Sequence, residues 1–327
     1  MITPIQLGKK QFPINVFYAP LAGCSDFAFR KMTSKYRPGL IFCEMVKMDA
    51  IVRNDKGTFH LLDYSPDMHP IGGQLCGSKP EIAGKAAKII EELGFDTVDF
   101  NCGCPVDKVT KDGSGSGMLK NISRIGDIIA NMVAAVTIPV TVKIRAGWDE
   151  KSIVANQIVK IAEEAGASCL TIHGRTREQG YVGPANWEWI AECKKAATRI
   201  PIIGNGDLFS VEAVFEMLET TKCDGVLIAR GTMGQPWIVD DIRTFVTTGT
   251  IPSRSIEDRR EALLDHFNYT KAYLPDRRVI VDMRRVGCWY FTKSAGTRAF
   301  RDAISHANSV DEIEEIIRSF PIGICTS

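Results

Sequence analysis

The stretch TVDFNCGCPVDKV, residues 97–109, shows the unit from which the fold is built. Its first part, TVDFNC, is typical of a buried strand, because apolar and β-branched residues suit a pleated surface. Gly103 and Pro105 then hold Cys104 between them, since glycine allows backbone angles that other residues resist and proline fixes its own φ. The glycine-rich run KDGSGSG, residues 111–117, predicts a loop near a ligand. We predict that the Cys104 thiol is aimed rigidly from a strand end, either for chemistry or as a small buried hydrophobe.

The same unit of apolar strand, polar loop and amphipathic helix recurs along the chain. Residues 79–94 and 152–166 have apolar side chains at three- and four-residue spacing and end in glycine, which commonly stops a helix. Strands are predicted at residues 16–19, 40–44, 71–75, 97–100, 140–144, 169–172, 202–204 and 225–228. Eight strands alternating with helices predict an α/β fold of the (β/α)8 TIM-barrel type. An open doubly wound sheet is the alternative, but no GxGxxG follows the first strand.

The pattern changes near TGTIPSR, residues 248–254, and only helical periodicity follows as far as residue 320. We therefore predict a barrel domain over residues 1–250 and a small all-helical C-terminal domain over residues 251–327. Residues 252–302 carry 11 Lys or Arg against 7 Asp or Glu, a modest basic patch that a solvated helical face would also produce.

The composition limits the functional classes. A hydrophobic content of 45%, a charged content of 24% and a formal charge of +1 describe a globular protein without a global signature of nucleic-acid binding. The chain has no signal peptide and no apolar run of about 18 residues, so we expect a cytoplasmic protein without membrane contact. Ten cysteines without a CxxC pair predict buried thiols of a reducing compartment. Cys102 and Cys104 lack further ligands at metal spacing, so no metal site is predicted.

Polar residues concentrate at the predicted strand ends, where barrels of this type carry their function. Gln74, Lys143 and His173 suit one planar ligand such as an isoalloxazine ring, because a cation stabilises the anionic reduced flavin. The alternatives are a Lys143 that extends from its strand to solvent and a hydrogen-bonded structural His173. Glu44 is either a carboxylate that orients a substrate or a partner of Arg145 or Lys143.

The loops after the last two strands predict an anion site. Gly206 and Gly231 would let backbone N–H groups approach an anion closely, and Arg230 would add charge. Barrels usually hold phosphate at these two loops.

These strand-end residues resemble the tRNA-dihydrouridine synthase family, and most of all its bacterial DusB-like subgroup. The matching pieces run in order over nearly the whole chain: APLAGCSDFAFR (19–30), GGQLCG (72–77), NCGCPVDKVTKDGSGSGMLKN (101–121), VKIRAGW (142–148), HGRTREQGY (173–181), IIGNGDL (202–208) and ARGTMGQPW (229–237). MRRVGCWYF (283–291) and GTRAFRD (296–302) resemble that family's C-terminal domain.

The resemblance implies FMN on a TIM barrel, a helical tRNA-binding domain, NADPH as the reductant and tRNA as the partner. It implies hydride transfer to carbon 6 of a uracil and protonation of carbon 5 by Cys104, and a thiol with an ordinary pKa of about 8.5 is mostly protonated at neutral pH. It implies that Asn101, Arg145 and Arg175 hold the uracil or nearby backbone. The implied FMN contacts are Pro20, Leu21, Ala22, Gln74, Lys143, His173, Asn205, Gly206, Asp207, Ala229 and Arg230.

Two other functions stay open from the sequence. The first is an FMN-dependent dehydrogenase of a free pyrimidine, for which the basic tail would be idle. The second is a non-catalytic RNA-binding barrel, which would have no use for Cys104, Lys143 and His173. A uridine in folded tRNA must leave its stack to react. Trp148, Tyr181 and Trp289 are the aromatic residues available to stack or wedge there, unless they belong to the core.

Overall fold

Eight parallel strands close into a barrel in the computed structural model, which describes residues 1–291 and 296–320. The strands are β1 (Ile5–Leu7), β2 (Lys10–Phe12), β3 (Val16–Tyr18), β4 (Leu40–Phe42), β5 (Val46–Lys47), β6 (Ile71–Cys76), β7 (Thr97–Cys102), β8 (Val140–Arg145), β9 (Cys169–His173), β10 (Ile202–Asn205) and β11 (Gly225–Ile228). The ring runs β3, β4, β6 to β11, and β11 pairs with β3 again. The eight predicted strands are therefore confirmed, and the closed ring rules out the open doubly wound sheet.

Helices cover the outside of the ring. They are α1 (Phe27–Ser34), α2 (Met48–Val52), α3 (Lys56–Leu61), α4 (Pro80–Glu92), α5 (Asp107–Thr110), α6 (Ile122–Ala135), α7 (Ala155–Glu164), α8 (Glu188–Ala196), α9 (Val211–Thr221) and α10 (Ile238–Thr248). The two predicted helices appear as α4 and α7. Gly94 and Gly166 follow them with φ of +86° and +87°, the left-handed conformation in which glycine ends helices.

The second predicted strand, residues 40–44, is interrupted. Phe42 pairs with Gly72 and Val46 with Leu75, so the five residues 42–46 lie opposite the four residues 72–75. This is a β-bulge, which redirects the chain between β4 and β5 and re-aims the side chains that it carries. Glu44 lies within it.

An antiparallel hairpin of β1 and β2 closes the bottom of the barrel. Lys10 forms an ion pair with Asp96, and Gly8 lies against Ser168; these two partners precede β7 and β9. Ile5, Leu7 and Phe12 share an apolar cluster with side chains from inside the ring. The functional end of the barrel is therefore the opposite one.

Four helices follow the barrel: α11 (Ile256–Tyr273), α12 (Asp276–Tyr290), α13 (Thr297–His306) and α14 (Val310–Ser319). They have a core of their own, and α11 packs against α1, with the rings of Tyr273 and Phe27 stacked at 4.1 Å. The predicted helical character is confirmed for this part of the tail, whereas residues 321–327 lie outside the described residues. The predicted 250/251 boundary falls between α10 and α11, and the division into domains stays a prediction.

Within the described residues, no helix combines the length and the apolar character needed to cross a bilayer.

Candidate active site

The carboxyl ends of the strands surround a cavity of about 440 Å³. Of the fifteen predicted site residues, fourteen line it: Pro20, Leu21, Ala22, Gln74, Asn101, Cys104, Lys143, Arg145, His173, Asn205, Gly206, Asp207, Ala229 and Arg230. The exception is Arg175. Cys24, Phe209 and Met233 also line the cavity and were not predicted. Phe209 lies two residues after the Asn205-Gly206-Asp207 motif, and this closeness in sequence was a signal that it lines the cavity.

The backbone of Cys104 is fixed from both sides. Its N–H donates to Asn101 Oδ1 at 2.9 Å, and its carbonyl accepts from the N–H and the hydroxyl of Ser116 at 3.0 and 2.9 Å. Gly115 has a φ of +56°, and a Cβ there would lie 2.8 Å from the Cys104 carbonyl. The backbone that carries the thiol is therefore held rigidly, and the direction of the thiol itself stays a prediction.

The reason for this rigidity differs from the prediction. Gly103 does not have a positive φ, and a Cβ at this position would come no nearer than 3.4 Å to a neighbouring atom, an ordinary contact. Asn101 and Ser116, not the freedom of Gly103, set the position of Cys104. Cys102, in contrast, is fully buried in the core.

A chain of hydrogen bonds runs beneath this loop across three strands. Thr141 Oγ1 and Gln74 Nε2 donate to the two carboxyl oxygens of Asp99 at 2.6 and 2.7 Å. Asn101 Nδ2 donates to Gln74 Oε1 at 2.8 Å. Burial raises the pKa of Asp99. Because Asn101 also accepts from Cys104, the chain orients the amide groups of Gln74 and Asn101 and connects them to the thiol loop.

Lys143 contributes the unpaired cation of the cavity. Its ammonium group forms no hydrogen bond or ion pair with any residue that the structure describes, although it lines the cavity wall. Burial, reinforced by the charge of Arg145, lowers the pKa of Lys143 to about 8. An ammonium group in this setting is available to an anionic or electron-rich ligand.

Arg145 and Arg175 are both 2% exposed and bond to the loop that follows β9. Arg145 donates to the carbonyls of Gly103, Thr176 and Gly180, each at 2.8 Å. Burial lowers the pKa of Arg145 to about 10. Arg175 donates to both carboxyl oxygens of Asp207 at 2.8 and 2.7 Å and to the Gly183 carbonyl at 2.6 Å. Their predicted contacts with uracil stay predictions, and the structure gives both a role in holding backbone.

His173 is buried, and its surroundings favour the neutral imidazole. Burial, together with the cations Lys143, Arg145, Arg175 and Arg230, holds the pKa of His173 well below its usual range. Its Nε2 lies 3.3 Å from Nη1 of Arg175. A neutral imidazole of this kind takes part in hydrogen bonds and does not add to the positive field of the cavity.

The loops after β10 and β11 have the form of an anion site. Gly206 has a φ of +126°, and a Cβ there would lie 2.7 Å from the Cβ of Ala185. The backbone N–H groups of Gly206, Asp207, Arg230 and Gly231 donate to no described residue. Arg230 lies 3.5 Å from the Asp207 carboxylate. Backbone N–H groups without protein partners, on two neighbouring loops beside a guanidinium, suit a phosphate.

The tail reaches the first barrel loop. Arg285 donates to the Gly23 carbonyl and lies 3.3 Å from Sγ of Cys24. The N–H of Gly23 donates to Glu44 Oε2 at 2.5 Å, and burial raises the pKa of Glu44. Glu44 thus pairs with backbone, where the sequence had offered Arg145 or Lys143 as partners. Gly23, which follows the predicted contacts at residues 20–22, is therefore held by the bulge through its N–H and by the tail through its carbonyl.

Of the three predicted aromatic residues, Tyr181 alone has an exposed ring. Trp148 is covered by Lys120 and Arg177, which lie 3.5 and 4.6 Å from its ring centroid. Trp289 packs against the tail core. Tyr181 is 57% exposed and lies 4.6 Å from the Arg230 guanidinium.

Comparison with known proteins agrees with this geometry. A family model described as dihydrouridine synthase (Dus) matches residues 17–321. The chain is 36% identical over 316 residues to the probable tRNA-dihydrouridine synthase 1 of Synechocystis sp., a match that covers 96% of this chain and 88% of that protein. It is 33% identical over 320 residues to tRNA-dihydrouridine synthase B of Pseudomonas syringae pv. tomato, covering 98% and 95%.

Solved structures share the fold at low sequence identity. Histamine dehydrogenase from Rhizobium sp. 4-9 superimposes with a TM-score of 0.57 at 14% identity, over 81% of this chain and 50% of that chain. A variant of NCR from Zymomonas mobilis gives a TM-score of 0.52 at 17% identity, over 78% and 94%. These likenesses confirm the barrel architecture.

Proposed function

The chain belongs to the dihydrouridine synthase family, and from that premise we propose how its cavity carries out the reaction of a tRNA-dihydrouridine synthase. The activity is that of an oxidoreductase, which reduces the carbon–carbon double bond of a uridine in tRNA to give 5,6-dihydrouridine. We propose FMN as the bound cofactor, NADPH as the reductant and the cytoplasm as the location, since the tRNA substrate is found there.

The residues present fit a flavin that carries a phosphate. The N–H groups of Gly206, Asp207, Arg230 and Gly231 without protein partners would hold the phosphate, and the Arg230 side chain would add charge. The unpaired ammonium of Lys143 and the neutral His173 would meet the ring. The remaining proposed FMN contacts are Pro20, Leu21, Ala22, Gln74, Asn205 and Ala229, which line the same cavity.

When bound, the flavin would supply the hydride that adds to carbon 6 of the uracil. Cys104 would hold the proton that carbon 5 requires, because addition across the double bond builds enolate-like charge on the uracil. Asn101 would fix the thiol loop through the Cys104 N–H. The Gln74–Asp99 pair would keep Asn101 oriented. Asn101, which lines the cavity, would also contact the uracil, whereas Arg145 and Arg175 would act through the loop that they hold.

The observation that carries this proposal is that one cavity is lined by a rigid thiol loop, by a lysine without a protein partner and by loops whose N–H groups have no protein partner in the described part of the chain. The test is to reconstitute the purified protein with FMN and NADPH and to supply tRNA from a strain that lacks this protein. We expect a yellow protein that forms dihydrouridine at a defined position. A protein that takes up no FMN, or a loaded protein that reduces free uracil or orotate instead of tRNA, would contradict the proposal.

A further inference from the structure

The loop after β9 ends in an apolar tip at the rim of the cavity, which we call the β9 tip (residues 180–183). Gly180 and Gly183 flank it with φ of +58° and +64°. Between them lie Tyr181 and Val182, which are 57% and 80% exposed. Tyr181 lines the cavity, but Val182 lies outside it. A single exposed valine is common on protein surfaces, but a group of exposed apolar side chains at one rim marks a candidate binding surface.

The β9 tip is held as rigidly as the thiol loop. Arg145 donates to the Gly180 carbonyl at 2.8 Å, and Arg175 donates to the Gly183 carbonyl at 2.6 Å. Both arginines are 2% exposed. Two buried guanidinium groups therefore fix the backbone at the two ends of this four-residue turn, and Val182 lies between these fixed ends.

The surroundings of the β9 tip suit RNA. The described residues include nine large hydrophobic side chains that are exposed, and four of them lie on this rim: Val106, Tyr181, Val182 and Phe209. Lys108, Lys111 and Lys120 are exposed on the neighbouring loop and form no ion pair with a described residue. Exposed apolar side chains beside lysines that have no acidic partner among the residues described match a polyanion with stacked bases.

The position across the barrel agrees with this partner. In the ring of eight, β9 lies four strands from β4, so the β9 tip stands across the cavity from α1 and the helical tail packed on it. An RNA strand that is bound by the tail must cross the cavity mouth to reach this tip.

We propose that Val182 is a wedge that enters the tRNA base stack next to the reacting uridine and fills the place from which that base has moved. This inference rests on the proposed function, since it concerns the same tRNA. Side chains of this type compensate unstacking, which costs a few kcal/mol per step in nucleic acids. Val182 acts on the neighbouring bases, and the residues of the cavity act on the uracil.

The experiment compares Val182→Ala and Val182→Asp with Val246→Ala and Val246→Asp in the flavin-loaded protein. Val246 is a matched control: it is 52% exposed and lies near the carboxyl end of α10, which runs away from the cavity mouth. The first readout is the rate at which pre-reduced enzyme is reoxidised by tRNA. We expect a loss of about tenfold in Val182→Asp, a smaller loss in Val182→Ala and none in the Val246 variants.

The second readout does not depend on turnover. A tRNA transcript carries 2-aminopurine beside the uridine that the wild type reduces, and its fluorescence rises when that neighbour unstacks. We expect the rise with the wild type and both Val246 variants and its loss with Val182→Asp, at equal flavin content. Wild-type rates and fluorescence in both Val182 variants would overturn the wedge. A wild type that forms no dihydrouridine would instead overturn the proposed function.

Discussion

On the side of β6 and β7, the cavity side chains of Gln74 and Asn101 bond to each other and, through Gln74, to Asp99. On the side of β10 and β11, four backbone N–H groups, those of Gly206, Asp207, Arg230 and Gly231, have no protein partner among the described residues. The side chains of the first side are hydrogen-bonded before any ligand binds, and they hold the loop that carries the Cys104 thiol. The second side is organised to receive an anion. We call the first the thiol side and the second the anion side. Substitutions on the thiol side should slow the reaction, and substitutions on the anion side should weaken flavin binding.

Cys104→Ala tests the thiol side and should have the largest effect. Loss of a positioned general acid costs about 10²- to 10⁴-fold in rate, so reoxidation of the reduced enzyme by tRNA should fall by that order while flavin is retained. Stopped-flow absorbance of the flavin measures it. Cys24→Ala is the control, because Cys24 also lines the cavity but contacts Arg285. An equal loss of rate in both variants would show that Cys104 is not the general acid.

Gly206→Ala tests the anion side. The added Cβ would lie 2.7 Å from Ala185 in a backbone with a φ of +126°. Strain of about 1–3 kcal/mol should lower flavin affinity roughly 10- to 100-fold, with little change in rate once flavin is saturating.

The matched control for Gly206→Ala is Gly249→Ala. Gly249 has a φ of +71° but no atom within 4 Å of the added Cβ, and it ends α10 away from the cavity. This variant should lose stability in thermal unfolding without losing flavin affinity in equilibrium dialysis. Equal losses of flavin affinity in both variants would show that the loss does not depend on the place of Gly206 in the cavity.

Lys143→Met tests whether the Lys143 ammonium group binds the flavin, through the pH dependence of flavin affinity. Since the pKa of Lys143 is lowered to about 8, its charge is present below that pH and is lost as the pH rises through it. A bound anion would extend the charged range upward. Wild-type affinity for reduced flavin should therefore fall above about pH 8, whereas Lys143→Met should bind about tenfold more weakly at neutral pH and show a flatter profile. Fluorescence titration across pH 6–10 checks this, and identical profiles would exclude Lys143 as the flavin cation.

Arg285→Ala, compared with Arg284→Ala, should give the smallest effect. Arg285 donates to the Gly23 carbonyl of the first barrel loop, whereas Arg284 donates to Ala307 and Asn308 within the tail. Loss of an exposed charged hydrogen bond should lower flavin affinity about fivefold in Arg285→Ala alone. Equal affinities in the two variants would show that the tail does not support the cofactor loop.

The sequence predicts the parts of this molecule that are encoded locally. Apolar runs with turn residues at their ends predict all eight barrel strands, and strand-end placement predicts the cavity lining, including Lys143 and His173. The direction of a side chain depends on partners that are distant in the chain, and the sequence does not reveal these partners. Arg175 bonds to Asp207 instead of lining the cavity, and Glu44 bonds to Gly23 from a bulge that alternation does not reveal.

The rigidity of Cys104 shows the same limit in one loop. Its fixed position is predicted, but its cause lies in Asn101 and Ser116, whose contacts form only when the loop folds back on the strand. The β1–β2 hairpin was missed because three-residue strands carry too little alternation to be recognised.

The contact between Gly23 and Arg285 has a consequence for how the protein is made. The two residues are separated by 262 positions, so the first loop emerges from the ribosome long before the helix that holds it. The ring likewise closes only when β11 reaches β3. The first barrel loop therefore gains its support from Arg285 only after α12 has been synthesised and has packed onto the barrel, and we expect stable flavin binding only from that stage on.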